Sequence, residues 1–308
     1  VPNYWMLAEG QDVELRPSTY ENSSSTLVPL DRIHILPNSQ QPDYLIVTAI
    51  GLDDVKTGEV KTESFLGSSG TMYMSRNAIY MTAVNYMMWP MMLELTDSSI
   101  ELAPDTSVSS HAMPSANETS IYKVAIDGTS ISMAAQGKVK GHVLNQFSMD
   151  EHNGYFRIAT TEGNAWGGAS ADSKNHLFIL DKDLKEVGKL TDLARGERIY
   201  SARFMGDKAY VVTFKEVDPL FVIDVANPKA PKVLGELKIP GFSNYLHPIG
   251  DNHLLGIGYD TEVTMQPGAK ETMVLTQGMK LSLFNVKDLA NPIEQDSVII
   301  GGRGTYSD

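Results

Sequence analysis

The groups with which this 308-residue chain could do chemistry are few: seven histidines, no cysteine and a handful of neighbouring carboxylates. The lack of cysteine excludes a disulfide framework, a thiolate metal site and a thiol nucleophile together. Two phrases, "ARFMGD" and "LHPIGD", put Arg203 and His247 at the same offset before a Gly-Asp turn. Met72 falls in the comparable earlier slot, and Gln146 or Ser148 in the slot between. Such a polar row on successive strands is a candidate ligand site. The competing role is structural, with Arg203 and His247 bonding neighbouring carbonyls. "SMDEHNG", from Ser148 to Gly154, gathers Asp150, Glu151, His152 and Asn153. Oxygen ligands there would suit Ca²⁺, but successive strand residues point to opposite faces, so a solvated turn is expected and no cofactor is called for. The histidines lack a His-Glu-x-x-His spacing, and no Gly-x-Ser-x-Gly elbow or phosphate loop is present. The paired carboxylates Asp53/Asp54 and Asp150/Glu151 are sequence neighbours and read as turn residues. Glycosidase pairs are opposed in space. One segment stands apart: "NYMMWPMM", Asn85 to Met92, surrounds Trp89 with four methionines. That composition makes an adaptable contact surface or, alternatively, a small satellite core.

The elements that must position these residues repeat. "DKAYVVTF" (Asp207 to Phe214) and "DNHLLGIG" (Asp251 to Gly258) follow Gly-Asp turns about 44 residues apart and are rich in β-formers. A second strand type ends in an acid or amide: "IYKVAID" (Ile121 to Asp127), "LFILD" (Leu177 to Asp181), "LFVID" (Leu220 to Asp224) and "LSLFN" (Leu281 to Asn285). Charged, edge-like strands follow, as in "EVGKL" (Glu186 to Leu190) and "KVLGEL" (Lys232 to Leu237). Four strands in about 43 residues is the period of a propeller blade. No sustained i, i+3, i+4 apolar pattern supports a helical solenoid. The fold class predicted is therefore all-β, a β-propeller of four-stranded antiparallel blades.

Whole blades are expected over 69–139, 143–190, 199–237 and 243–300, within a propeller domain at 43–308. Partial blades stand at both ends, so the ring reads as incomplete within this chain. Asp43 to Leu52 and Glu59 to Gly67 read as the third and fourth strands of a leading blade. Residues 1–42, with their Pro and Ser content, read as an irregular connector or an incomplete leading segment. Three insertions, Asn85 to Ser120, Thr161 to Asn175 and Asp260 to Met279, fall between second and third strands, hence on one rim.

Composition bounds the partners. At 42% hydrophobic and 20% charged, the chain has the apolar content for a sizeable core. A formal charge of −13, from 25 Lys+Arg against 38 Asp+Glu, argues against nucleic acid as a partner. No run has the length of a membrane helix, and the opening residues lack the basic and apolar regions of a signal peptide.

Four phrases in order carry a resemblance: "FLGSSGTMYMS", "VLNQFSMDEHNGYFRIATT", "GERIYSARFMGDKAYVVTFKEVDPLFVID" and "LGELKIPGFSNYLHPIGDNHLLGIGYDTE". From about Tyr44 onward the chain resembles secreted bacterial and archaeal proteins that carry a β-propeller domain. The resemblance implies an extracytoplasmic protein, secreted or anchored at the cell surface, and transfers no catalytic residue. The function expected is non-catalytic binding or scaffolding toward a cell-surface protein or glycan, with Gln146, Arg203, His247 and Trp89 as ligand-binding candidates and Asp150 and Glu151 as weaker metal candidates. The alternative is a secreted hydrolase or lyase acting on a polysaccharide or lactone.

Overall fold

The structure is a computed structural model that describes residues 16–21, 24–37, 43–52, 60–67, 70–84, 118–163, 173–214, 218–265 and 272–305. Trp89 with most of its insertion, the Asp53/Asp54 pair, and the middles of the two other insertions lie outside these residues. By backbone proximity the chain divides into two compact units, Val1–Val84 with Ser120–Lys138, and Asn85–Thr119 with Val139–Asp308.

The first unit opens with a hairpin, β1 (Ser18–Glu21) and β2 (Ser24–Leu27). Next come β3 (Ile33–Ile35), β4 (Tyr44–Ile50) and β5 (Val60–Leu66), paired in the order β3-β5-β4. Then β6 (Met72–Met74), β7 (Ala78–Val84), β8 (Glu118–Asp127) and β9 (Ser130–Lys140) form a sheet in chain order, its last strands running two residues past the unit at either end. Residues 1–42 were expected to be an irregular connector or an incomplete leading segment, and those of them described include three strands. For β3 the cause is non-local: it is held by parallel pairing with β5, about thirty residues on, and short strands take their stability from such partners. The same pairing makes β5 a central strand rather than the outer strand expected of it. Leu36 and Phe65 pack on Ile79, Met81, Tyr122 and Val124 to form this unit's core.

Among its described residues the second unit holds three sheets. β10 (His142–Val143) and β11 (Met149–His152) both pair with β12 (Tyr155–Glu162), followed by β13 (Lys174–Leu180) and β14 (Glu186–Leu193). β15 (Arg198–Met205), β16 (Lys208–Phe214), β17 (Asp218–Asp224) and β18 (Lys232–Ile239) pair in order. So do β19 (Phe242–Ile249), β20 (His253–Met265), β21 (Thr272–Asn285) and β22 (Ile293–Ile300). Gly206-Asp207 and Gly250-Asp251 join first to second strands, and the Asp- or Asn-ending runs are third, as the repeat requires. The insertion at Asp260 to Met279 proves to be largely an extension of β20 and β21.

Face-to-face packing explains the sequence of the middle strands. Ala209 and Val211 of β16 pack with Leu177, Ile179 and Phe204 on one side, while Tyr210 and Val212 pack with Leu246, Leu254 and Phe284 on the other. Covered on both faces, β16 is apolar without alternation. Outer strands approach the next sheet closely enough to need glycine: a Cβ on Gly188 would lie 2.0 Å from the Pro228 carbonyl oxygen, and one on Gly235 would lie 2.3 Å from that of Leu289. Where the chain leaves β14 for β15, buried Asn175 accepts from the Thr161 hydroxyl at 2.8 Å and donates to the Leu193 and Glu197 carbonyls at 3.0 and 3.1 Å. The Thr161 hydroxyl in turn accepts from the Ile199 amide at 3.1 Å.

Arg157, on β12, has only 2% of its side chain exposed. It donates Nε–H and Nη2–H to Asp150 Oδ1 at 2.8 and 2.5 Å and Nη1–H to the Gly206 carbonyl at 2.6 Å, and it lies 5.0 Å over the Phe204 ring. It ties one sheet to the first hairpin of the next. An unpartnered buried cation costs several kcal/mol, so Asp150→Ala is expected to destabilise the protein by about 3 kcal/mol in chemical denaturation, whereas Asp150→Ala/Arg157→Met recovers most of the loss.

His142 on β10 is held below its ordinary value of 6.5 by burial and, secondarily, by the cation of Arg198. The unfolded chain then binds the proton more readily than the folded one, so the residue's contribution to stability is complete above pH 6.5 and declines as pH falls below that. Melting temperatures at pH 7.5 and about 5.5 are expected to differ less in His142→Gln than in the parent.

Candidate functional site

Hairpin register fixes which residues of successive first strands are equivalent. Counting back from each turn, the third pairs are Asp150 with Arg157, Arg203 with Tyr210, and His247 with Leu255.

 Measured along the first strands, Asp150, Arg203 and His247 stand at the same distance before their turns and occupy equivalent places on β11, β15 and β19. The row expected through Arg203 and His247 thus exists as a set of strand positions, but its earlier member is Asp150 and not Gln146 or Ser148. A 3-10 turn at Gln146–Ser148 separates β10 from β11 and takes both residues out of strand register. In the first unit the comparable position on β6 is Met72, which is exposed.

The three positions meet different surroundings. Asp150 is engaged by Arg157 as described above. Its neighbours in "SMDEHNG" diverge: Glu151 is half-buried opposite Phe156, and His152 Nε2 lies 3.5 Å from Asp207 Oδ1 in the next sheet's hairpin. Among the described residues, no group of three or more Asp, Glu or His side chains could hold a metal ion.

Arg203 and His247 are brought together by two aromatic residues. The half-buried Arg203 guanidinium lies 5.3 Å from the centroid of the Phe147 ring. Phe147 meets Tyr245 edge-on at 5.1 Å, and the Tyr245 hydroxyl lies 3.2 Å from His247 Nδ1. The 3-10 turn that displaced Gln146 is what delivers Phe147 here: the Asn145 side chain accepts from the Phe147 amide at 3.0 Å and the turn packs against β15. Gln146 itself is exposed on that turn. The result is a partly open cluster of a cation, two rings, a phenol and an imidazole. Such a set can hold an anion against the guanidinium and bond polar groups through Tyr245 and His247.

Sequence reasoning missed Phe147 and Tyr245. Tyr245 was within reach, since it lies two residues before His247 and so shares its face of the strand. Phe147 was not, because the alternation that would have placed it is broken by the turn.

Behind Arg203 lies Tyr210, its partner across the hairpin and fully buried. Burial pushes its hydroxyl up to about 12, and that hydroxyl has no hydrogen-bond partner among the described residues. Removing an unsatisfied buried hydroxyl relieves a desolvation cost, so Tyr210→Phe is expected to raise stability by about 1 kcal/mol in chemical denaturation.

Comparison with known proteins bears on the whole arrangement. An uncharacterized protein of Methanocaldococcus jannaschii is 54% identical over 178 residues, covering 58% of this chain and 26% of its own length. An uncharacterized protein of Archaeoglobus fulgidus is 35% identical over 94% of this chain and 51% of its own length. The chain thus spans about half or less of the curated relatives it matches. Among solved structures, a subtype N10 neuraminidase-like protein of A/little yellow-shouldered bat/Guatemala/060/2010 is 8% identical over 79% of this chain and 73% of that one, with a TM-score of 0.37. The apocarotenoid oxygenase of Synechocystis, as a point mutant, is 13% identical over 83% of this chain and 55% of that one, also at 0.37. These two structural likenesses carry no argument. The family described as Beta propeller domain matches residues 4–308, which agrees with the repeated four-stranded antiparallel sheets, and the chain belongs to that family.

Proposed function

We propose that this chain is a non-catalytic binding propeller of an extracytoplasmic protein, secreted or anchored at the cell surface, and that it recognises a cell-surface protein or glycan. The observation that carries this reading is the cluster of Arg203, Phe147, Tyr245 and His247, where a guanidinium, two rings and two polar groups from two first strands and the 3-10 turn share one partly open surface. Its groups are suited to contact. The guanidinium stays charged throughout the physiological range and so neither takes nor gives a proton. The carboxylate at the equivalent position, Asp150, is committed to Arg157. The Met-rich segment around Trp89 is proposed as a second contact surface on its composition alone. The extracytoplasmic location rests on the family resemblance.

The competing reading is a hydrolase or lyase that uses His247 as its proton-transfer group on a polysaccharide or lactone. Binding to a panel of surface glycans and cell-surface proteins separates the two. Arg203→Ala/His247→Ala is expected to weaken capture at least about tenfold while the melting temperature stays within about 4 °C. Turnover of a panel substrate that this double substitution abolishes would establish the catalytic reading instead.

A further inference from the structure

We propose that the surface around Arg203 takes a carboxylate-bearing sugar, a uronate unit set among neutral sugars in a glycan; this deepens the binding reading above and rests on it. The inference comes from comparing neighbouring sheets at equivalent positions. On β11 the position holds an acid, Asp150, and the cation opposite it on β12, Arg157, is neutralised where it is buried. On β15 the cation has moved to the first strand as Arg203, and the residue opposite it on β16 is the uncharged Tyr210. Arg203 therefore has a ring at its face but lacks an acid like that of its neighbour. Among the described residues it has neither an ion pair nor a hydrogen bond, and its contact is the Phe147 ring. Its fork of N–H donors remains available to two acceptor oxygens in one plane, which is the geometry of a carboxylate.

The groups beside it narrow the class. Tyr245 Oη and His247 Nδ1, 3.2 Å apart, form a polar pair of the kind that reads hydroxyl groups, and the rings of Phe147 and Tyr245 provide apolar edges for the C–H face of a sugar ring. A free mineral anion would use the guanidinium and leave these groups idle. An acidic peptide with several adjacent carboxylates would meet one cation on a chain whose formal charge is −13. A glycan with its carboxylates spaced by neutral sugars presents them one at a time.

The test uses a hexasaccharide of alternating glucuronate and N-acetylglucosamine, its carboxyl-reduced form, and a hexa-glutamate peptide, each titrated calorimetrically into the whole chain. Binding of the acidic hexasaccharide is expected, with carboxyl reduction weakening it at least about tenfold. Arg203→Lys, which keeps the charge but loses the fork, is expected to weaken it about tenfold at an unchanged melting temperature. The proposal is overturned if the hexasaccharide does not bind, if its reduced form binds equally, or if Arg203→Lys and Arg203→Ala bind like the parent. Arg203-dependent binding of the peptide without the glycan likewise overturns it, yet leaves the binding reading in place. Cleavage of the hexasaccharide would overturn that broader reading itself.

Discussion

Burial on both faces of the middle strands is the constraint from which the rest of the second unit follows. Because β16 has sheets packed on either side, Ala209, Tyr210, Val211 and Val212 have no solvent-facing position between them. Charge is admitted there only with a complete set of partners. Arg157 meets that condition through Asp150, the Gly206 carbonyl and the Phe204 ring. The same close approach leaves no room for a side chain at Gly188 or Gly235, where outer strands run against backbone of the following sheet. Polar chemistry is thereby pushed to strand ends and to the first strands.

Asp150 and Arg203 show how equivalent positions differ from sheet to sheet. An acid on the first strand compensates a buried cation on the second and spends its acceptor capacity inside the protein. A cation on the first strand, opposite a tyrosine, keeps its donors available. The structural role weighed for Arg203 belongs to Arg157, the residue that bonds a carbonyl of the neighbouring sheet. The Phe147 ring, 5.3 Å from the Arg203 guanidinium, contacts it without taking up an N–H donor.

By itself, the sequence determined the architecture of the second unit. Gly206-Asp207 and Gly250-Asp251 marked the first hairpins, and "LFILD", "LFVID" and "LSLFN" marked third strands, because turn chemistry and burial are local signals that recur with each sheet. The equivalence of Arg203 and His247 was legible for the same reason. Tertiary structure alone decided the rest. β3 pairs in parallel with β5, a strand distant in the chain, and no local turn encodes such a partner. The 3-10 turn at Gln146–Ser148 exchanged Gln146 for Phe147 at the site, and Arg157 found its carbonyl in another sheet. Each of these depends on what lies across a sheet seam, and a strand's own residues encode which face is buried but not which neighbour covers it.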